Sequence, residues 1–143
     1  MGRWGLGTFE DDKALDWLAD LREASAPEDL IASLLQPMDF GEVMSYGESV
    51  ARQCLGELVA AVAGYPPDVV PIGLKELLSA PEDDPLTQAI RRVSVREAVL
   101  LVSRVGLISE ARVVAEESGA LDDWLRSIQE LLGRLLRVAH RAT

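Results

Sequence analysis

Residues 121–138, LDDWLRSIQELLGRLLRV, decide the fold. Leu121, Trp124, Leu125, Ile128, Leu131, Leu132, Leu135 and Val138 recur at spacings of three and four. On a helix of 3.6 residues per turn they form one apolar stripe, with charged residues on the opposite face. A stripe this long has to be buried against other elements, and the neighbouring segments offer helices rather than strands. Residues 42–63 repeat the pattern with Val43, Gly47, Val50, Cys54, Leu58, Ala61 and Val62. Gly47 and Gly56 each weaken that helix by about 1 kcal/mol relative to Ala, and small residues there let another helix approach closely. Gly64, followed by Pro66 and Pro67, is the expected stop.

The rest of the chain reads as shorter helices around these two. DKALDWLADLREA, from Asp12 to about Ala24, has Leu15, Leu18 and Leu21 on one face beside Ala14 and Trp17, with Asp11 or Asp12 as N-cap. PEDLIASLL starts at Pro27, where the missing N–H costs nothing, and Gln36-Pro37 ends it. Residues 65–85 hold five of the seven prolines and read as an internal connection with a turn or two of helix at Leu74–Leu78. A long helix is expected from Pro85 or Leu86 to about Val105, then a short one capped by Ser109 and ended by Gly119. The expectation is an all-α single domain spanning 1–143, a bundle of five to seven helices with long ones at 42–63, 85–105 and 121–140. The competing α+β fold would need strands at Val69–Ile72 or Val93–Val95, and both stretches are short.

The first twelve residues, MGRWGLGTFEDD, are unlike the rest. Glycines alternate with Trp4 and Phe9, and large aromatics avoid solvent unless the segment folds back onto the protein. An ordered N-terminal arm over 1–10 is therefore expected. Here Met1, Gly2, Trp4, Gly5, Gly7, Phe9, Glu10 and Asp12 fit M-G-x-W-G-x-G-x-F-[ED]-N-D, with Ala14, Asp16 and Trp17 following. Residues 55–71, LGELVAAVAGYPPDVVP, fit A-A-E-x-V-A-A-x-x-G with a Pro-rich tail, placing Glu57 on the recurrent Glu. Residues 109–132 fit S-E-L-R-E-L-W-E-E-S-G-x-x-x-x-W, except that Ala115 stands at the usual Trp. By these motifs the chain resembles the bacterial family called domain of unknown function 4259. Asp11 stands where that family has Asn, which keeps a capping oxygen and adds a charge. The resemblance implies relatives, not an activity.

Composition excludes more than it assigns. An apolar content of 48% argues against disorder, and 143 residues suffice for one core. The longest apolar stretch, Leu58 to Tyr65, is far below the roughly 20 residues that cross a bilayer. The N-terminus has no apolar signal-peptide region, and Leu6 breaks the myristoylation pattern. Cys54, alone, forms no internal disulfide. A soluble cytoplasmic protein without membrane attachment is expected. The net charge of −10 is uneven, −12 over residues 1–85 and +2 over 86–143. An acidic surface repels nucleic acid and steers basic partners, although such charge also simply maintains solubility.

Few residues are placed for chemistry. His140, the sole histidine, sits near the C-terminus, where a base is poorly held, and Cys54 lies on an apolar stripe. The ligands of a structural zinc site and the Walker sequence are both missing. Arg126, Arg134, Arg137 and Arg141 are spread around the last helix without an aromatic platform, so nucleic-acid binding is not expected. The acids Glu10, Asp11, Asp12, Asp16 and Asp20 are the densest polar group, and Asp12, Asp16 and Asp20 share a helix face. They read as a solvated face, as a protein-contact surface, or as oxygen ligands for a divalent cation. Trp4, Trp17 and Trp124 read as core or as the rim of a pocket. The site candidates are therefore Trp4, Glu10, Asp12, Asp16, Trp17 and Glu57, as binding residues. No catalytic residue, cofactor or resident metal is assigned. The expected function is a small acidic protein-binding module with a basic protein partner, like toxin-neutralising immunity proteins in size, charge and lack of a catalytic set. The alternative is a carboxylate-metal enzyme using Glu10, Asp12, Asp16 and Glu57.

Overall fold

The computed structural model describes residues 8–37 and 42–141, except for the side chain of Glu10. Thr8–Glu10 forms one 3-10 turn. Eight α-helices follow: α1 (Asp12–Glu23), α2 (Pro27–Leu34), α3 (Tyr46–Val62), α4 (Ile72–Leu78), α5 (Pro85–Arg91), α6 (Val95–Leu107), α7 (Glu110–Glu117) and α8 (Leu121–Arg141). There is no strand among the described residues, and the fold is all-α, with one helix more than the upper expectation.

The extra helix comes from the stretch read as one helix over 85–105. It breaks after Arg91 and restarts at Val95, because Ser94 accepts from the Glu97 backbone N–H while the Glu97 carboxylate accepts from the Ser94 N–H. This capping box makes a helix start more favourable at Ser94 than continuation through Val93. Val93–Val95 is neither strand nor helix interior. α3 likewise begins at Tyr46 rather than near residue 42, since Ser45 caps it. Met44 instead lies alongside Ser109 in a single parallel bridge, with the Glu110 N–H donating to the Met44 carbonyl at 2.9 Å.

α3 is the axis of the molecule. Every residue from Ser49 to Ala61 is buried, and each of the other seven helices packs on it. A helix apolar or covered on all sides belongs at the centre of a bundle. Gly56 permits the closest approach: a Cβ there would overlap Val102 Cγ2 of α6 and meet Leu131 Cδ2 of α8 at 3.4 Å. Gly47, by contrast, faces open space.

At the other end of α3, Gly64 adopts φ 103°, and the N–H groups of Gly64 and Tyr65 donate to the carbonyls of Ala61 and Ala60. That Schellman stop is the one expected from the sequence. Arg141, at the end of α8, donates to the Ala63 carbonyl and lies over the Tyr65 ring. Trp124 is almost fully buried, and Trp17 packs half-buried against the core.

Candidate functional site

The acidic N-terminal segment divides into buried and exposed carboxylates. Asp11 is fully buried and caps α1, accepting from the Lys13 N–H at 2.9 Å. Its second oxygen accepts from the Tyr46 hydroxyl at 2.5 Å. The Lys13 ammonium stands 5.9 Å over the same Tyr46 ring. Asp11 therefore clasps the start of α1 to the start of α3, with one carboxylate oxygen accepting from each. Asp12, Asp16, Asp20 and Glu23 are exposed. Trp4 and the Glu10 side chain, both candidate residues, lie outside the described residues.

Glu57, the candidate expected to stand out in an apolar helix, sits inside a buried polar chain. Gln53 Nε2 donates to Thr8 Oγ1 at 2.7 Å, and the Thr8 hydroxyl hydrogen-bonds the Glu57 carboxylate. Glu57 Oε1 is 2.6 Å from Arg134 Nη2, both side chains being under a tenth exposed. Arg134 also grips Glu130, Nε to Oε2 and Nη2 to Oε1 at 2.7 Å each, and reaches the Tyr65 carbonyl through Nη1 at 3.3 Å. Burial pushes the Glu57 carboxyl above its ordinary range, and Arg134 and Thr8 draw it only part of the way back. For Arg134 burial acts against the charge, but Glu130 and Glu57 outweigh it and the guanidinium stays protonated. The chain ties the N-terminal turn to α3 and α8. In the sequence Arg134 is one of four scattered bases of the last helix. Its pairing with Glu57 had no local signal, because the two are far apart in the chain.

α1 and α4 enclose an open groove of about 590 Å³. Leu15, Leu18, Ala19, Pro71, Ile72 and Gly73 form its apolar lining. Gly73 seats α4 closely on α1, since a Cβ there would meet Leu18 Cδ2 at 3.2 Å. Arg22 bridges the two helices, 2.8 Å from both the Gly73 carbonyl and Glu76 Oε2. Ile72 is 73% exposed within this groove. Glu23 of α1 and Glu76 of α4 are the acids that line the groove. At 3.6 residues per turn, Asp12, Asp16 and Asp20 fall on the exposed face of α1 next to that lining, turning progressively away from it. None of the candidate residues lines the groove: Asp12 and Asp16 lie on the exposed face of α1, and Glu57 lies in the buried polar chain. Trp17 lies on the other side of α1, packed against the core.

Cys54 is wholly enclosed, its thiol pushed well above its ordinary value, first by burial and then by Glu57. His140 is exposed in the last turn of α8. Among the described residues no three His, Cys, Asp or Glu side chains are grouped to hold a metal ion, and no helix is long and apolar enough to cross a membrane.

A family model described as Domain of unknown function (DUF4259) matches residues 2–131. The match takes in nine-tenths of the chain, which therefore belongs to that family. No curated protein and no solved structure gives a significant match.

Proposed function

We propose that this protein is a protein-binding module whose recognition surface is the α1–α4 groove, and that its occupant is a basic amphipathic segment of a partner protein. The observation that carries this reading is an open apolar groove with Glu23 and Glu76 in its lining, beside the exposed acids Asp12, Asp16 and Asp20 of α1. Ile72 stands mostly exposed within this concave apolar surface, where an apolar side chain of a partner would cover it. An amphipathic helix laid in such a groove would bury its apolar face and set Lys or Arg residues against the carboxylates. An immunity-like role is one form of this activity.

The carboxylate-metal reading has less support, because Glu57 is already engaged by Arg134 and the exposed acids of α1 form no metal-holding group among the described residues. The single, buried cysteine fits a reducing compartment, and we read the cytoplasm as the site of action.

The test is direct titration with a synthetic Lys/Leu amphipathic helical peptide, alongside affinity capture from the native host. Binding is expected to weaken steeply with salt and to be lost in Ile72→Glu at an unchanged melting temperature. Equal binding by the wild type and Ile72→Glu would overturn the assignment of the groove.

A further inference from the structure

A second cleft lies between the end of α2, α3 and α6, with a volume of about 300 Å³, at the lower end of the range for small-molecule sites. Leu35, Pro37, Leu100 and Leu101 supply apolar walls, and Arg52 and Arg104 supply charge. Arg52 is only 6% exposed, yet its Nε has no hydrogen-bond partner. Among the described residues its one ion-pair partner, Glu48, is 3.9 Å from Nη2, too far for a hydrogen bond. Arg104 is exposed, and its guanidinium has neither ion pair nor hydrogen bond. Glu97 also lines the cleft, but its Oε1 accepts from the Ser94 N–H at 3.1 Å in the cap of α6.

Buried cations are ordinarily held by close anions, because an unpaired charge loses its hydration without recompense. Arg52 departs from that rule, and it does so beside a second guanidinium. Burial and the neighbouring Arg104 both disfavour its charge, and Glu48 offsets them only partly. In a chain of net charge −10, two arginines facing one cleft without a tight acid partner are a specific local exception. The guanidinium fork matches the planar or tetrahedral oxygens of carboxylate and phosphate groups.

We infer that the α2–α3–α6 cleft binds a small organic anion, its carboxylate or phosphate head held by Arg52 and Arg104 and its apolar body resting on Leu35, Leu100 and Leu101. This site is separate from the α1–α4 groove and does not depend on what that groove binds. Glu97 and the overall negative charge set a bias against multiply charged anions, so heads of low charge are favoured.

The experiment is a titration of the whole chain followed by amide chemical shifts, with hexanoate and hexyl phosphate as probes and hexanol and hexylamine as controls. Saturable shifts centred on Leu35, Arg52, Leu101 and Arg104 are expected for the anions alone, and whichever anion binds more tightly identifies the head group. Arg104→Gln, at an exposed position, should keep the fold and weaken binding by roughly tenfold, the scale of one charge-assisted hydrogen bond. Arg52→Gln should abolish binding. Hexanol binding as well as hexanoate would show a merely apolar cleft and overturn the inference. Unchanged affinity in Arg104→Gln, or anion-induced shifts absent or confined to other parts of the molecule, would overturn it equally.

Discussion

Single residues decide how the N-terminal turn is held. Glu57 and Arg134 form a buried pair whose partners respond differently to pH. The folded Glu57 carboxyl is raised above its unfolded value, so between those two values the native state binds more protons than the unfolded state. Its contribution to stability therefore falls as pH rises through that window. Arg134→Met removes the cation that tolerates the Glu57 charge, and truncating one partner of a buried pair costs about 3–5 kcal/mol. That cost is expected near neutral pH and should shrink as the pH falls and Glu57 takes up a proton instead. Denaturant melts of the wild type, Arg134→Met and Glu57→Gln across this range check it, with Glu57→Gln flattening the profile. A pH-independent loss in Arg134→Met would show that Arg134 acts through Glu130 and Tyr65 alone. At this scale the sequence was only half legible. Glu57 stands out because a carboxylate in an apolar helix needs a reason, whereas Asp11 and Arg134 look like ordinary surface charges until tertiary packing encloses them.

Elements are legible where local signals agree and misread where one local signal opposes a longer pattern. The α8 stripe and the Gly64 and Gly119 stops are visible because periodicity and positive-φ glycine point the same way. The α5–α6 break is hidden because Val93, Val95 and Val99 continue an apolar pattern that the Ser94–Glu97 box interrupts. The centrality of α3 is hidden too, since Arg52, Gln53 and Glu57 make a fully enclosed helix look amphipathic. The two glycines read together in that helix turn out to serve differently. Gly56→Ala gains helix propensity but drives a Cβ into Val102, a branched side chain on a packed helix, and overpacking typically costs about 1–3 kcal/mol. Gly47→Ala meets nothing within 4 Å and should stabilise by up to about 1 kcal/mol. Thermal unfolding of the two variants should move in opposite directions. Movement in the same direction would mean that the α3–α6 contact yields more easily than close packing allows.

The whole molecule carries its charge asymmetrically, −12 in the first 85 residues against +2 in the remainder, and the acidic half contains both walls of the α1–α4 groove. An asymmetric field of this kind would act on encounter with the proposed basic partner, orienting it before any side chain touches. Asp16 separates this effect from folding. It is exposed, it lies beyond the capping position held by Asp11, and its neighbours at four-residue spacing, Asp12 and Asp20, carry the same charge. Asp16→Asn is nearly isosteric, so stability should stay within about 0.5 kcal/mol of the wild type, with any gain coming from reduced repulsion along the helix. Association with a basic amphipathic peptide should slow, and its dependence on salt should become shallower, while dissociation changes little. Stopped-flow binding at several salt concentrations separates the two rates. A large loss of stability would make Asp16 part of the architecture. An unchanged association rate would remove the acidic face of α1 from recognition, and the apolar groove around Ile72 would then have to account for the proposed partner selection alone.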